Sequence, residues 1–246
     1  LRSYAKLDRV FQYTIEQYKT EEDEQLEWPL LIEWTSQARE KWDAVQVDVG
    51  DWLFLGSDQP FDSRELAFQL LGLEQNDQWQ ISFGDQDLTQ IDRFVLRKQV
   101  AGLGGAFPLL GDSVFTAVSY NQKARNKIRA QGFLDRLQTG LPKKEKLKLT
   151  DPIGYKGAKL SKAQVQLLNW IRLLMAGKAI WIVEDPFLHL PEGIKKNLIT
   201  ELEKKKGRQT ILWLTSSEKY EAVKQVHLTA PDNVKSLNKA TKKAGS

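Results

Sequence analysis

The second half of the chain alternates apolar runs with segments of helical periodicity, and this order constrains the fold more than any other feature. A helix reads from Ser161 to about Ala176, then the strand AIWIV (179–183), a helix from Glu192 to Lys206, and the strand TILWL (210–214). Strands separated by helices of this length argue for an α/β sheet with parallel strands.

The first half leads into the same kind of unit. WPLLIEW (28–34), AVQVDV (44–49) and QWQISFG (78–84) read as strands, the second and third followed by Gly-Asp turns. WLFLG (52–56) reads as a buried strand, and Leu66, Ala67, Leu70, Leu71 and Leu73 share one face of a helix over 62–73 with Gly72 near its end. Residues 113–138 have a helical look, from Val114 and Phe115 through Ile128, Phe133, Leu134 and Leu137.

Between strand and helix lies GSDQPFDS (56–63), which has the frame of a phosphate-binding loop but different occupants. A phosphate loop reads G-x-x-x-x-G-K-[ST]; Gly56 and Ser63 keep the spacing, with Ser57, Asp58 and Gln59 between them, while Phe61 takes the second glycine's place and Asp62 the lysine's. A strand running into a helix N-terminus is the context such a loop needs, because the free N–H groups there face an anion.

Composition narrows the chemistry. The chain of 246 residues has no cysteine, which excludes disulfides, thiolate metal sites and a cysteine nucleophile; His189 and His227 are not at ligand spacing, so no side-chain metal site is expected. Its apolar runs fall far short of the ~20 residues of a bilayer-spanning helix. The net charge of +4 gathers in KKEKLK (143–148), KKKGR (204–208) and the tail after Asp232. Such clusters suit anionic lipid or nucleic acid, or are solvated surface. They lack the interleaved aromatics of a base-stacking platform, so no nucleic acid partner is expected. The eight tryptophans read mainly as core or interface.

Read in order, these pieces resemble the nucleotide-binding domain of ATP-binding-cassette (ABC) transporters of the exporter type. The carriers are AVQVDVGDWLFLG ahead of the loop, LLGLE (70–74) after its helix, ISFGDQDL (81–88), FVLRKQVAGL (94–103) toward the glutamine loop, LSKAQ (160–164) for the leucine-serine-glycine-glycine-glutamine signature, and AIWIVEDP for the Walker B strand. The resemblance implies a P-loop NTPase-type mixed sheet core with an antiparallel β subdomain and a helical subdomain over about 106–176. It also implies an N-terminal helix and linker (1–24) from a preceding, transmembrane region, a cassette over 25–230, and a basic, disordered tail (231–246). Implied partners are another cassette domain, in a homo- or heterodimer, and transmembrane domains; the implied place is the cytoplasmic side of the membrane.

Set on the family's pattern, the chain departs at each side-chain role in phosphoryl transfer. Asp62 stands for the phosphate-loop lysine. Glu184 and Asp185 reverse the Walker B order, Gly104 or Gly105 takes the glutamine's place, Pro191 the loop aspartate's, and Ser216 the switch histidine's. Trp34 stands near the aromatic that stacks on adenine. No cofactor is therefore expected, and Mg-ATP enters only if the altered loop still binds it. In LSKAQ, Ser161 is kept and Lys162 adds a cation where a glycine stands, which suits clamping a partner's nucleotide; Ser161 with Gln164 equally forms an S-x-x-Q capping box. The leading expectation is a catalytically degenerate cassette domain that acts by pairing or regulation. The alternatives are an active or weakly active ATPase whose Asp62 is neutralised by a nearby cation, and a basic module for nucleic acid or anionic lipid.

Overall fold

A computed structural model describes residues 25–34, 44–57, 63–75, 77, 79–104, 108–119, 123–214 and 224–228. The expected N-terminal helix and linker (1–24), Trp42, most of the phosphate-loop frame, Gly105, Ser216 and the basic tail lie outside the described residues.

In chain order the strands are Leu30–Trp34 (β1), Val45–Val47 (β2), Trp52–Ser57 (β3), Trp79–Phe83 (β4), Gln86–Asp87 (β5), Val100–Leu103 (β6), Ile180–Glu184 (β7), Thr210–Leu214 (β8) and Lys224–Leu228 (β9). The helices are Ser63–Leu70 (α1), Arg93–Gln99 (α2), Val114–Val118 (α3), Ala124–Leu137 (α4), Lys162–Ala176 (α5) and Glu192–Glu203 (α6). One sheet is antiparallel in the order β2-β1-β4-β5; the other is parallel in the order β6-β7-β8-β3-β9.

Alternation along the central strands explains why they read as unbroken apolar runs. Trp52, Phe54, Trp181, Val183, Ile211 and Trp213 join one core with α3, α4, α5 and α6. Their neighbours Leu53, Leu55, Ile180, Ile182, Leu212 and Leu214 point the other way, into a second core with α1 and the antiparallel sheet. A parallel sheet covered on both faces needs apolar residues at both parities. Trp213 sits at the centre of the first core, its ring 6.3 Å from Trp52, 6.2 Å from Trp170 and 5.6 Å from Phe187.

The sequence reading needs correction at 113–138, which is two helices. Ser113 and Thr116 form a capping box that starts α3, and the helix stops at Ser119, whose backbone is extended. Ile128, counted on the apolar face, is 74% exposed, and α4 buries Ala130, Leu134 and Leu137 instead. The stretch 94–103, not resolved into elements from sequence, divides into α2, capped by Asp92, and strand β6. The α1 helix ends at Leu70, short of Leu73; Gly72 has φ 64°, and a Cβ there would meet Leu96 Cδ2 at 2.8 Å. Glycine is therefore needed twice over, for the turn and for the close approach. Among the described residues no helix is long and apolar enough to cross a membrane.

One ion cluster ties α4 to α6. Arg136 Nε donates to Glu201 Oε1 at 2.9 Å, and Lys204 Nζ reaches the same oxygen at 2.6 Å. Burial alone would raise the Glu201 carboxyl, but the hydrogen bonds from Lys204 and Arg136, with their charges, outweigh it and hold its pKa below the usual carboxylate value. A carboxylate of lowered pKa stabilises the fold above its ordinary range and loses that contribution as pH falls through the folded-state value.

Two outcomes follow. Trp213→Ala should cost about 3–5 kcal/mol in denaturant unfolding, far more than Trp213→Phe. The stability advantage of the wild type over Glu201→Gln should shrink between neutral pH and about pH 3, followed by thermal unfolding; a gap independent of pH would contradict the charge pairing.

Candidate functional site

The parallel strands share one direction, so β3, β6, β7 and β8 bring Ser57, Gly104, Glu184 and Leu214 to the same edge of the sheet. In open α/β sheets this carboxyl edge is where ligands bind. Here the edge opens into a cleft of about 700 Å³, lined among others by Arg64, Lys156, Lys162, Gln166, Asn169, Glu184, Asp185 and His189. Its volume lies in the range of small-molecule sites.

Each wall has a local cause. Ser161 caps α5: its Oγ accepts from the Gln164 N–H at 3.2 Å, and Gln164 Oε1 accepts from the Ser161 N–H at 2.9 Å. Gln164 Nε2 then donates to the Glu145 carbonyl at 2.7 Å, so this buried amide is engaged at both ends and ties the helix start to the KKEKLK loop. Ser161 and Lys162 are left exposed. Further along α5, Gln166 Nε2 donates to the carbonyls of Asp185 at 3.2 Å and Pro186 at 3.1 Å, and Trp170 Nε1 donates to Pro186 at 2.7 Å. These bonds pin the turn after β7, where Asp185 (φ 42°) and His189 (φ 67°) both lie in the left-handed region.

No family model matches the chain, and no curated protein matches it. Solved structures do. The chain is similar to a bacterial Atm1-family ABC exporter with ATP bound, at TM-score 0.65 and 11% identity over 95% of this chain. It spans 45% of that exporter's length. It is also similar to a protein from Pyrococcus furiosus described as an ABC transporter ATP-binding protein, at TM-score 0.59 and 13% identity over 82% of this chain and 98% of the other. The fold is that of an ABC ATPase.

Within that cassette fold the sequence-derived positions fall as follows. Gly56 and Ser57 end β3, and Ser63 opens α1, so the two ends of the phosphate-loop frame stand at strand and helix as expected. Asp58, Gln59 and Asp62 lie outside the described residues, as does Ser216. Glu184 is the last residue of β7, and Asp185 follows in the pinned turn. Lys162, Glu184 and Asp185, taken from two separate motifs, line one cleft. Trp34 closes β1 as its last residue.

Sequence reasoning missed Arg64, Lys156, Gln166 and Asn169 as cleft residues. A signal for two of them was present: in AQVQLLNW the amides Gln166 and Asn169 interrupt an otherwise apolar helix, and both are buried. Lys156 gave none, because its position depends on a left-handed turn (φ 51°) after Gly154.

The cap carries a prediction. Ser161→Ala should lower stability by about 1 kcal/mol in chemical denaturation, and Ser161→Thr should retain most of it. No loss in the alanine variant would mean that the cap does not set the start of α5.

Proposed function

We propose that this chain is a catalytically degenerate cassette domain of an exporter-like ABC transporter, on the cytoplasmic side of the membrane. It acts by pairing with another cassette domain and with transmembrane domains rather than by hydrolysing ATP. The reading is carried by the sequence: in a chain of cassette fold, Asp62 stands at the sequence position of the family's phosphate-loop lysine. A carboxylate there repels the β- and γ-phosphates that an ammonium would attract. One such contact is worth about 4 kcal/mol at 4 Å near a surface before screening, and the reversal of sign counts it twice. Affinity should fall by several decades.

The rest of the donor set does not fit Mg-ATP either. Gly104, at the end of β6, has no side chain to position a metal. Asp185 is one carbon shorter than the family's glutamate and is held in a turn pinned by Gln166 and Trp170, so it reaches less far toward an attacking water. Pro191 stands at the N-cap of α6 without a side-chain hydrogen bond. Pairing is supported by the exposed Ser161 and Lys162 at the start of α5, which offer a hydroxyl and a cation at a helix N-terminus.

Calorimetric titration of the chain with Mg-ATP tests the reading. Binding should be undetectable in the micromolar range, and Asp62→Lys should strengthen it. Micromolar binding by the wild type would overturn the proposal.

A further inference from the structure

The basic run KKKGR (204–208) is used by neither the cleft nor the pairing role, and it is not a loose solvated loop. It follows α6 at the amino edge of the parallel sheet, opposite the cleft. The Lys205 N–H donates to the Leu202 carbonyl at 2.7 Å and the Arg208 N–H to that of Lys205 at 3.0 Å, while Gln209 Nε2 donates to the carbonyls of Lys178 at 2.9 Å and Ala179 at 2.6 Å. Gly207, with φ 75°, packs on the turn at Gly50, where a Cβ would come within 2.7 Å of the Gly207 carbonyl oxygen. On this fixed turn Lys205 Nζ stands 5.6 Å from the centre of the Trp181 ring, and Lys206 Nζ 6.0 Å from that of Trp52. Trp52 and Trp181 are in register with Ile211 from either side, so both rings lie on one face of the sheet. A ring has no net charge, so each contact fixes an ammonium without neutralising it.

Helix α4 adds to the same surface. Burial first, and then the charge of Arg129, hold the Lys205 amine below its usual pKa, with Glu201 opposing them. Arg129 and Lys205 are thus like charges crowded together. Arg125, Ile128 and Arg129 stand at i, i+3 and i+4 on α4 and are all exposed, Ile128 by 74%. Among the described residues, Arg125, Arg129, Lys205, Lys206 and Arg208 form no ion pair. Of the carboxylates nearby, Glu201 is taken by Arg136 and Lys204, and these cations outnumber Glu203 with Asp48 and Asp51 of the facing turn.

We propose that this face docks on an anionic membrane surface, with its cations at the phospholipid headgroups and Ile128 just beneath them. The exposed isoleucine between two arginines selects the partner. A bilayer interface takes both a cation and an apolar side chain from the same helix face, whereas a nucleic acid answers the charge alone. The indoles under Lys205 and Lys206 are only 0% and 6% exposed, so they offer no face on which a base could stack. The proposal goes beyond the pairing role and does not rest on it, since it uses no residue of the cleft.

Cosedimentation of the full chain with vesicles decides it, using phosphatidylcholine alone and with about 30% phosphatidylserine. At ~50 mM salt the chain should bind the anionic vesicles about tenfold or more above the neutral ones, and most of that binding should be gone at ~500 mM. Arg129→Glu with Lys205→Glu should lower binding about tenfold or more and leave the circular dichroism spectrum unchanged. Arg125→Gln with Lys206→Gln, at about fivefold for each charge lost, carries the test if that variant does not fold. Ile128→Ser should weaken binding severalfold and leave its salt dependence as it was. Because the tail is also basic, a chain with Lys235, Lys239, Lys242 and Lys243 changed to Gln serves as the control, and it should keep its sensitivity to the Arg129 and Lys205 substitutions. The proposal fails if anionic vesicles are not bound at low salt, if neutral ones bind equally, if the folded patch variants bind like the wild type, or if the tail changes alone abolish binding. A DNA duplex or polyglutamate bound through the patch more tightly than the vesicles would likewise overturn it and assign the face to that partner.

Discussion

Everything in this fold depends on burying both faces of one parallel sheet. Tryptophans do this on the helical side, where Trp213 packs between Trp52, Trp170 and Phe187, and branched aliphatics do it on the side of α1 and the antiparallel sheet. Large rings bury much apolar area per residue, so three or four of them anchor the helices α3 to α6 against three strands. Because those strands run in one direction and in fixed register, their carboxyl ends arrive together. The site is a consequence of the sheet's direction before it is a matter of particular side chains.

What lies at that edge is then decided by short polar contacts. Gln166 and Trp170, from a helix otherwise given to the core, hold the carbonyls of Asp185 and Pro186 and so fix a turn that a non-glycine chain would not adopt unaided. Gln164 does the equivalent at the start of α5, which it joins to Glu145. The same helix thus packs the core, caps itself and shapes the cleft, which explains why its sequence mixes leucines with three buried amides.

Much of the architecture was legible in the sequence because its signals are local. AIWIV and TILWL, the helix begun by Ser161, and the turn at Gly72 each follow from periodicity, capping and glycine chemistry within a few residues. The break between α3 and α4 was not legible, since a capping box at Ser113 competes with a helical pattern that runs on past Ser119. The cleft was only partly legible. Glu184, Asp185 and Lys162 stood out in motifs, yet their meeting with Arg64, Lys156 and Asn169 depends on strand register and on left-handed turns, and neither leaves a period in the sequence.

The proposed function turns on one electrostatic point: set on the family's pattern, Asp62 stands at the sequence position of the phosphate-loop lysine, an anion in place of a cation. The most direct measurement is a crystal structure of the chain grown with magnesium and a non-hydrolysable ATP analogue. The account predicts no ordered triphosphate over residues 56–63. A triphosphate lying along that loop, with its β- and γ-phosphates beside Asp62, would contradict it.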